Sequence, residues 1–305
     1  MSKNKKKLIL FGAGASAGSE HTSPYCPPFG NGLFDNLQAN YPDAWGIVPA
    51  AKRSNFVPNF EPGMEELWQS GWHGTTVLMQ CLGDYFAKFR PLNGNAYSRL
   101  IEYLQAHRGI EGTFFSTLNY DCLFEYAGRT RDLTIDYETE EPSRESVLSV
   151  WKIHGSCNFL PVDVQAQRGN VSFDAAAVQW DGRVALVDAL QVGPFLKTSA
   201  FYPAMAVFMK GKPIHANQSF LKKLQQQWTT RVLEVEKIGI IGVNPNPEDG
   251  HIWDPLSKTD AELIIIGDRQ KYEQWSKRCP IPRKMKFIGE EFAKTLPDFS
   301  VAFTS

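Results

Sequence analysis

The sequence predicts an α/β protein with an open, mostly parallel, Rossmann-like sheet covered by helices on both faces. Six short apolar runs have the length and composition of buried strands, at residues 8–11, 113–118, 147–153, 237–243, 263–266 and 285–288. Helical segments lie between several of these runs, and a glycine-rich turn follows the first run directly. Strands that are apolar on both faces and alternate with helices are typical of parallel sheets that are buried on both sides.

Two stretches in the first half of the chain have apolar residues that recur every three or four positions. This spacing predicts amphipathic helices whose apolar faces pack against the sheet. The first stretch contains Leu78, Leu82, Tyr85, Phe86 and Phe89, and the second contains Tyr97, Leu100, Ile101 and Leu104. Residues 219–236 have a helical composition, and residues 122–128 are predicted to form a short helix after the second strand.

The composition is that of a folded chain without a strong overall charge. Of the 305 residues, 43% are hydrophobic, which excludes general disorder. The 32 Lys and Arg residues balance 33 Asp and Glu residues, so no field favours nucleic acid or acidic lipid. The longest mostly apolar stretch, residues 8–18, is too short to span a bilayer and is too rich in glycine and serine for a signal peptide. We expect a protein that binds neither nucleic acid nor membrane.

The cysteines point to the compartment and to the absence of zinc. Five cysteines are spread along the chain, and none forms a C-x-x-C pair. This usage fits a reducing cytoplasm and excludes a four-cysteine zinc ribbon, so we expect a cytoplasmic protein with no bound metal.

One segment differs in character from the rest of a single domain that we expect to cover residues 1–305. Between residues 157 and 213 the pattern changes to short β-like pieces, including residues 171–173 and 183–187. Asp181-Gly182 is a dipeptide typical of hairpin turns. We interpret residues 157–213 as an inserted subdomain.

The turn after the first strand has the pattern of a phosphate-binding loop. Residues 12–17, GAGASA, satisfy G-x-G-x-x-[GA], in which glycines let backbone amides approach a diphosphate. A dehydrogenase would continue into an uninterrupted helix, with an acidic residue at the end of a second strand about 20 positions later. Pro24, Pro27 and Pro28 interrupt that helix, and no apolar strand precedes Asp35, so hydride transfer is disfavoured. Residues 18–32 are instead predicted to form a long, mobile surface loop.

Polar residues follow two further strands, at the edge where open α/β sheets bind ligands. Asn119 and Asp121 come after the second strand, and His154 comes after the third. Asp121 could cap the following helix, Asn119 could close an Asx turn and His154 could be a structural residue. The residue types alone leave these alternatives open.

The order of four motifs adds to this interpretation. GAGAS, TLNYD, KIHGS and the strand IIGV running into NPNPED resemble, in that order, the sirtuin-like NAD-binding superfamily from about residue 8 to residue 268. The resemblance implies a sheet of the sirtuin type with NAD bound as a substrate. It assigns the diphosphate to the first turn, the ribose and the reaction to the second and third motifs, and further ribose and phosphate contacts to the fourth. The implied NAD-binding residues are Gly12, Ala13, Gly14, Ser16, Thr117, Gly242 and Asn244.

Two departures from the protein deacylases of that superfamily indicate a different branch. The chain lacks their G-I-P-D-F-R segment and their two C-x-x-C zinc pairs, so the inserted subdomain is expected to be zinc-free. Residues 28–33, the N-Y-D form of the second motif and residues 242–249 ahead of His251 look like the bacterial branch that hydrolyses NAD in anti-phage defence. The resemblance therefore implies an NAD glycohydrolase with Asn119 and His154 as catalytic residues, and with Asp121 supporting their turn.

Several alternatives and partners follow from this interpretation. The same residues could serve a protein deacylase or ADP-ribosyltransferase, a sensor that binds NAD or ADP-ribose without turnover, or a structural subunit of an assembly. Unregulated NAD destruction would harm the host, so we expect activity to be controlled by a separate chain. The resemblance implies a homo-oligomer and a partner similar to the HerA-type translocase ATPases.

Overall fold

A central sheet of parallel strands organises the computed structural model, which describes residues 6–57, 59–72, 74–162, 171–174 and 177–305. The strands are β1 Lys7–Phe11, β2 Thr22–Ser23, β3 Arg90–Pro91, β4 Thr113–Thr117, β5 Thr134–Asp136, β6 Val147–Lys152, β7 Phe159–Val162, β8 Val171–Asp174, β9 Ala177–Trp180, β10 Arg183–Leu186, β11 Lys237–Ile241, β12 Glu262–Ile266 and β13 Met285–Gly289.

Helices connect these strands and cover the sheet. They are α1 Ala13–Ala17, α2 Gly30–Asn40, α3 Pro42–Trp45, α4 Ala50–Arg53, α5 Phe60–Gln69, α6 Thr75–Phe86, α7 Ala96–Ala106, α8 Leu123–Arg129, α9 Val192–Leu196, α10 Gln218–Glu234, α11 Gly250–Lys258, α12 Arg269–Ser276 and α13 Phe292–Thr304. None of the described helices is both long and apolar enough to cross a membrane.

The order of the strands creates a crevice beside β1. The sheet runs β13-β12-β11-β1-β4-β6-β5, and every neighbouring pair is parallel. The chain moves from β1 to β4, on to the edge strand β5 and back to β6 between them, then crosses to β11 on the other side of β1 and moves outward again. Connections therefore leave β1 and β11 in opposite directions, and such a switch point is where open α/β sheets bind ligands.

The predicted fold class is confirmed, and all six apolar runs form strands of the central sheet. Their observed ends differ from the predicted ends by at most two residues. The predicted helices are present as α6, α7, α8 and α10, although Phe89 lies beyond the end of α6. The edge strand β5 was not predicted, because its three residues include two polar ones and give no apolar run.

The region after the glycine-rich turn differs from the prediction at both ends. Ala13–Ala17 forms a short helix instead of a plain turn, and α2 begins at Gly30, inside the predicted loop. Between them the chain is largely irregular, as the prolines predicted. The side chain of Asn95 anchors it by donating to the backbone carbonyl of Glu20 at 2.7 Å and to the Thr22 hydroxyl at 3.1 Å. The predicted mobility of residues 18–32 stays a prediction.

The predicted hairpin at Asp181-Gly182 is wrong. These residues connect β9, which pairs with β8, to β10, which pairs with β7. The end of β9 is bound elsewhere, because the Trp180 amide donates to the His215 carbonyl and the Trp180 carbonyl accepts from Asn217. β7 to β10 lie outside the central sheet, and whether residues 157–213 form a separate subdomain stays a prediction.

Two long excursions of the chain meet above the carboxyl edge of the sheet. The first contains α2 to α6, and the second contains β7 to β10 and α9. Phe34, Trp45, Phe56 and Phe60 form an aromatic cluster in the first excursion, and the ring of Phe208 from the second lies 5.3 Å from that of Phe60. This contact places both excursions next to the crevice.

Glycine is required where the turns after β1 and β11 touch. The Gly12 amide donates to the Ile241 carbonyl at 3.0 Å, and the Gly14 amide donates to the Gly242 carbonyl at 2.9 Å. Gly242 has a φ of +64°, and a Cβ there would lie 2.1 Å from the backbone nitrogen of Ala15. Neither the backbone conformation nor the available space admits a side chain.

We predict that Gly242→Ala destabilises the protein more than Gly211→Ala. Gly211 has a similar φ of +71°, but a Cβ at this position would have no described neighbouring atom within 4 Å, so its replacement isolates the conformational cost of about 1–2 kcal/mol. Gly242→Ala adds steric overlap worth about 1–3 kcal/mol. Urea unfolding of both variants measures the difference, and equal losses would contradict the close contact.

Candidate active site

A cleft of about 830 Å³ opens at the carboxyl edge of the sheet, centred on the switch point. This volume lies within the range of pockets that enclose small-molecule ligands. Each long parallel strand around the crevice contributes residues that follow its carboxyl end. These residues are Gly12, Ala13, Gly14 and Ser16 after β1, Asn119 and Asp121 after β4, His154 after β6, Gly242 and Asn244 after β11, Asp268 after β12, and Glu290 and Glu291 after β13.

The glycines of the first turn allow it to pack closely against the turn after β11. The amides of Gly12 and Gly14 donate to carbonyls of the β11 turn, and the Ala15 amide donates to the Gly12 carbonyl at 2.9 Å. The predicted contact of a diphosphate with the amides of Gly12 and Gly14 would therefore require these hydrogen bonds to be replaced. In the structure these glycines allow the two backbone segments to approach each other closely, and the cleft stays open above them.

Asn119 connects the β4 end to the β1 turn. Its side-chain nitrogen donates to the Gly12 carbonyl at 2.8 Å and to the Ser16 hydroxyl at 2.9 Å. Its backbone amide donates to the Thr117 hydroxyl at 3.0 Å. Both amide hydrogens are used across the sheet, and among the described residues no backbone amide donates to its Oδ1 in an Asx turn, so this carbonyl oxygen is the atom left to meet a ligand.

The hydroxyl groups of Thr117 and Ser16 form hydrogen bonds within the protein, and their predicted contacts with NAD stay predictions. Thr117 is buried and lies outside the residues that line the cleft, so its hydroxyl positions Asn119. Ser16 lines the cleft, but its hydroxyl is shared with Asn119 and with the Tyr97 hydroxyl at 3.0 Å. Both residues belong to a hydrogen-bond network beneath the cleft.

Asp121 caps the helix that follows it. Its Oδ1 accepts from the Leu123 amide at 3.0 Å, and only 4% of the residue is exposed. Burial raises the pKa of Asp121, and the Lys152 ammonium opposes that rise. Lys152 is itself fully buried, donates to the Asp121 backbone carbonyl, and pairs with Glu125 at 2.7 Å. The arrangement agrees with a supporting role for Asp121.

His154 is buried, and protein groups engage both sides of its ring. Its Nε2 lies 2.8 Å from Nε2 of His251, and the Leu118 backbone raises the pKa of the ring. Burial, His251 and Lys212 lower the pKa of His154 well below its usual value, in that order of importance. The imidazole is therefore neutral at pH 7 and has an unprotonated nitrogen, as a general base requires.

Four residues near His154 were not predicted as site residues, namely His251, Lys212, Glu61 and Asp249. Burial and then Lys212 lower the pKa of His251 to about 4. Lys212 pairs with Glu61 of α5, and its Nζ lies 4.6 Å from the centre of the Phe208 ring. Glu61 and Lys212 come from segments far apart in the sequence, and no motif indicates them. Asp249 ends the fourth motif and His251 follows it closely, so these two residues had a signal in the sequence.

Asp249 is the fourth of these residues and lines the cleft. Its Oδ2 accepts from the Asn246 side chain at 3.3 Å, and its Oδ1 is buried without a hydrogen-bond partner among the residues that the structure describes. Burial raises the pKa of Asp249, and Lys212 partly offsets this effect. The free oxygen can accept a hydrogen bond from a ligand hydroxyl.

No metal-binding group is found within the described ranges, where three or more His, Cys, Asp or Glu side chains never converge suitably. Cys122 and Cys157 are neighbours, with their sulfur atoms 3.7 Å apart, and both are free thiols. The expectation of a metal-free protein stays a prediction.

Comparisons with known proteins give similarities of fold only. No protein-family model and no curated protein sequence matches the chain. Among solved structures, one from work on the mechanism and regulation of Sir2 enzymes is similar at 15% identity and a TM-score of 0.47, covering 98% of this chain and 92% of that one. A Sir2 homolog–NAD complex is similar at 14% identity and a TM-score of 0.45, covering 98% and 90%. A Sir2Af2 structure bound to a myristoylated histone peptide has 16% identity and a TM-score of 0.44, covering 99% and 92%. At this level the likeness assigns no role to any residue.

We predict that Asn119→Asp makes stability depend on pH. A protonated carboxyl group can donate to the Gly12 carbonyl, whereas a carboxylate would repel that oxygen and the nearby Asp121. The introduced carboxyl should therefore have a folded-state pKa above its unfolded value of about 3.9. The variant is then most stable, relative to the original protein, below about pH 4 and loses stability as pH rises through the folded-state pKa.

Asn119→Ala is the matched control for this effect, because it removes the same two hydrogen bonds without adding a titrating group. Urea unfolding of both variants between pH 4 and pH 8 gives the difference in the free energy of unfolding. A difference that stays constant over this range would contradict the assigned orientation of the Asn119 amide.

Proposed function

We propose that the protein is an NAD glycohydrolase, which converts NAD and water into nicotinamide, ADP-ribose and a proton. The observation that carries the proposal is a cleft of about 830 Å³ at the switch point whose lining includes Asn119, Asp249 and a neutral His154. The order of the GAGAS, TLNYD and KIHGS motifs supports the same reaction, because the resemblance implies that NAD is the substrate and that Asn119 and His154 are catalytic residues.

The residues of the cleft suggest how the reaction proceeds. The bond between nicotinamide and the ribose breaks with its electron pair leaving on nicotinamide, and positive charge develops on the ribose. The carbonyl oxygen of Asn119 and the free oxygen of Asp249 are acceptors for ribose hydroxyls or for the entering water. The water oxygen bonds to the ribose carbon, and His154 takes its proton and releases it to solvent.

The charge of the cleft favours NAD over NADP. Glu20, Asp268, Glu290 and Glu291 line the cleft, and Lys212 is the one ammonium group among the described lining residues. Lys212 is already paired with Glu61. A carboxylate beside a ribose can accept its 2′-hydroxyl, whereas a 2′-phosphate would be repelled.

The biological setting of the proposal follows from the sequence resemblance. We propose that the enzyme acts in the cytoplasm as an NAD-depleting effector of anti-phage defence, as a homo-oligomer. A partner of the HerA-type ATPase class would supply the trigger. Mass measurement of the protein with and without such a partner tests this assembly independently of turnover.

We predict that the purified protein releases nicotinamide from NAD and that His154→Ala lowers this rate at least 100-fold, the size of a typical general-base contribution. His107→Ala is the matched control, because His107 is exposed at the end of α7 and should leave the rate unchanged. Chromatography measures nicotinamide, and calorimetry measures NAD binding.

The outcomes separate the proposed reaction from its alternatives. NAD binding without turnover, alone and with the partner, would identify a sensor. Nicotinamide release that requires an acylated or acceptor peptide would identify a deacylase or ADP-ribosyltransferase. Full hydrolysis by His154→Ala would remove His154 from the mechanism.

We also predict that kcat/KM is lower for NADP than for NAD. The double variant Glu290→Gln/Glu291→Gln should show a smaller difference between the two substrates. Removing two carboxylates weakens the repulsion of the 2′-phosphate. Each carboxylate–phosphate pair contributes about 1 kcal/mol or less at an exposed edge. Parallel assays at low and moderate salt measure the ratio of kcat/KM for NAD to kcat/KM for NADP. An unchanged preference would show that these carboxylates do not face the 2′ position.

A further inference from the structure

The pair formed by His154 and His251 is the feature of the cleft that the proposed reaction leaves unused. His154 follows β6, whereas His251 lies in the first turn of α11, after the loop that leaves β11. Their Nε2 atoms are 2.8 Å apart, and the ring planes are inclined by 52°. The distance is that of a hydrogen bond, in which one ring donates and the other accepts.

The 2.8 Å contact requires one Nε2 to donate and the other to accept, and the tautomers decide which. The Leu118 backbone raises the pKa of His154, which is the effect of a carbonyl that accepts from the ring. We therefore assign the N–H group of neutral His154 to Nδ1. In this assignment Nε2 of His154 is unprotonated and accepts from Nε2–H of His251.

The charges around the pair keep both rings neutral. Lys212 approaches from the 209–217 segment, Glu61 from α5 and Asp249 from the start of α11. Lys212 lowers the pKa of both histidines, and burial has a larger effect in the same direction. Lys212 is paired with Glu61, and burial raises the pKa of Asp249, so neither carboxyl group offsets the effect on the rings.

The nitrogen of His154 that must accept a proton is therefore the one that His251 already covers. His154 lines the cleft, and so do Asn246 and Asp249 from the loop that precedes His251, but His251 is not part of the described lining. A hydroxyl group in the cleft can reach His154 Nε2 only if it replaces His251. A ligand that touches Asn246 or Asp249 contacts the segment that carries His251.

We propose that His251 is a positioning residue, which donates from Nε2–H to His154 Nε2, holds that nitrogen unprotonated, and is displaced when a substrate hydroxyl takes its place. The proton of His251 stays on His251 in this exchange, and the proton that His154 accepts comes from the substrate or water. The role in turnover rests on the proposed hydrolysis of NAD, whereas the state of His154 is a property of the protein without turnover.

The first test measures the ring of His154 directly. In protein labelled with ¹⁵N-histidine, the nitrogen shifts distinguish protonated from unprotonated positions. We expect His154 to be protonated at Nδ1 and unprotonated at Nε2 near pH 7. We expect His251→Leu, which fills a similar volume without a donor, to raise the titration midpoint of His154 by about 0.5–1 pH unit, the effect of one neutral hydrogen bond.

His251→Gln is the matched variant, because its side-chain amide can still donate to His154. We expect its titration midpoint to stay within about 0.3 pH unit of the original, a shift well below that of a lost hydrogen bond. The exposed His107→Leu variant should not change the titration at all. Equal behaviour of His251→Leu and His251→Gln, whether shifted or unshifted, would overturn the proposal, as would a proton on Nε2 of His154.

The second test concerns displacement by substrate. We expect NAD to change the His251 ring shifts at saturation, and the acid limb of kcat/KM to move to higher pH in His251→Leu by the amount seen in the His154 titration. An acid limb that does not follow His154 would overturn the positioning role. Absence of NAD hydrolysis in the original protein would instead refute the proposed function, and the titrations would still decide the role of His251.

Discussion

The contact between the turns after β1 and β11 is the constraint on which the cleft depends. Gly12 and Gly14 donate backbone hydrogen bonds to the β11 turn, and Gly242 adopts a conformation that excludes a side chain. The turns meet where the connections leave in opposite directions, so their contact forms the floor of the crevice and not a wall across it. Asn119 then fastens the β4 end to this floor through the Gly12 carbonyl. Residues from three strands are thereby held in one fixed arrangement.

A second, charged layer supports that arrangement from below. Lys152 at the end of β6 and Glu125 of α8 are buried together, and Lys152 also donates to the backbone carbonyl of Asp121. Removal of either charge would leave the other unpaired in the interior, where the cost is several kcal/mol. The pair therefore makes the shape of the β4 turn, and with it the position of Asn119, hard to change without loss of the fold. Rigid support of this kind is what a site with few reacting groups requires.

The sequence was informative where a single local cause determines the structure. Apolar runs such as Lys237–Ile241 become central strands because no other placement buries both of their faces. Asn119 and His154 could be placed at the cleft for the same reason, since the residue after a parallel strand must lie at its carboxyl edge. Short helices such as α3 and α4 were not predicted, because four residues are too few to show a helical period of apolar residues.

The residues around His154 could not be predicted because their proximity depends on the packing of two long excursions. Glu61 comes from the first, Lys212 from the second, and His251 follows the loop after β11. Glu61 and Lys212 lie in segments without a recognisable motif, and an ion pair gives no local pattern in a sequence. The prediction of a hairpin at Asp181-Gly182 was wrong for a related reason, because the end of β9 is bound to residues 215–217.

The position of β11 in the chain has a consequence for synthesis on the ribosome. β1 pairs with β4 on one side but with β11 on the other, and β11 is made only after β4, β6 and both excursions. Gly242 and His251 follow still later, so a growing chain that has assembled half of the sheet lacks the floor of the crevice. Pairing of this long range delays folding until late in translation. A chain that ends before β11 therefore lacks the backbone contacts that form the floor of the cleft, so the site exists only once nearly the whole sheet has been made.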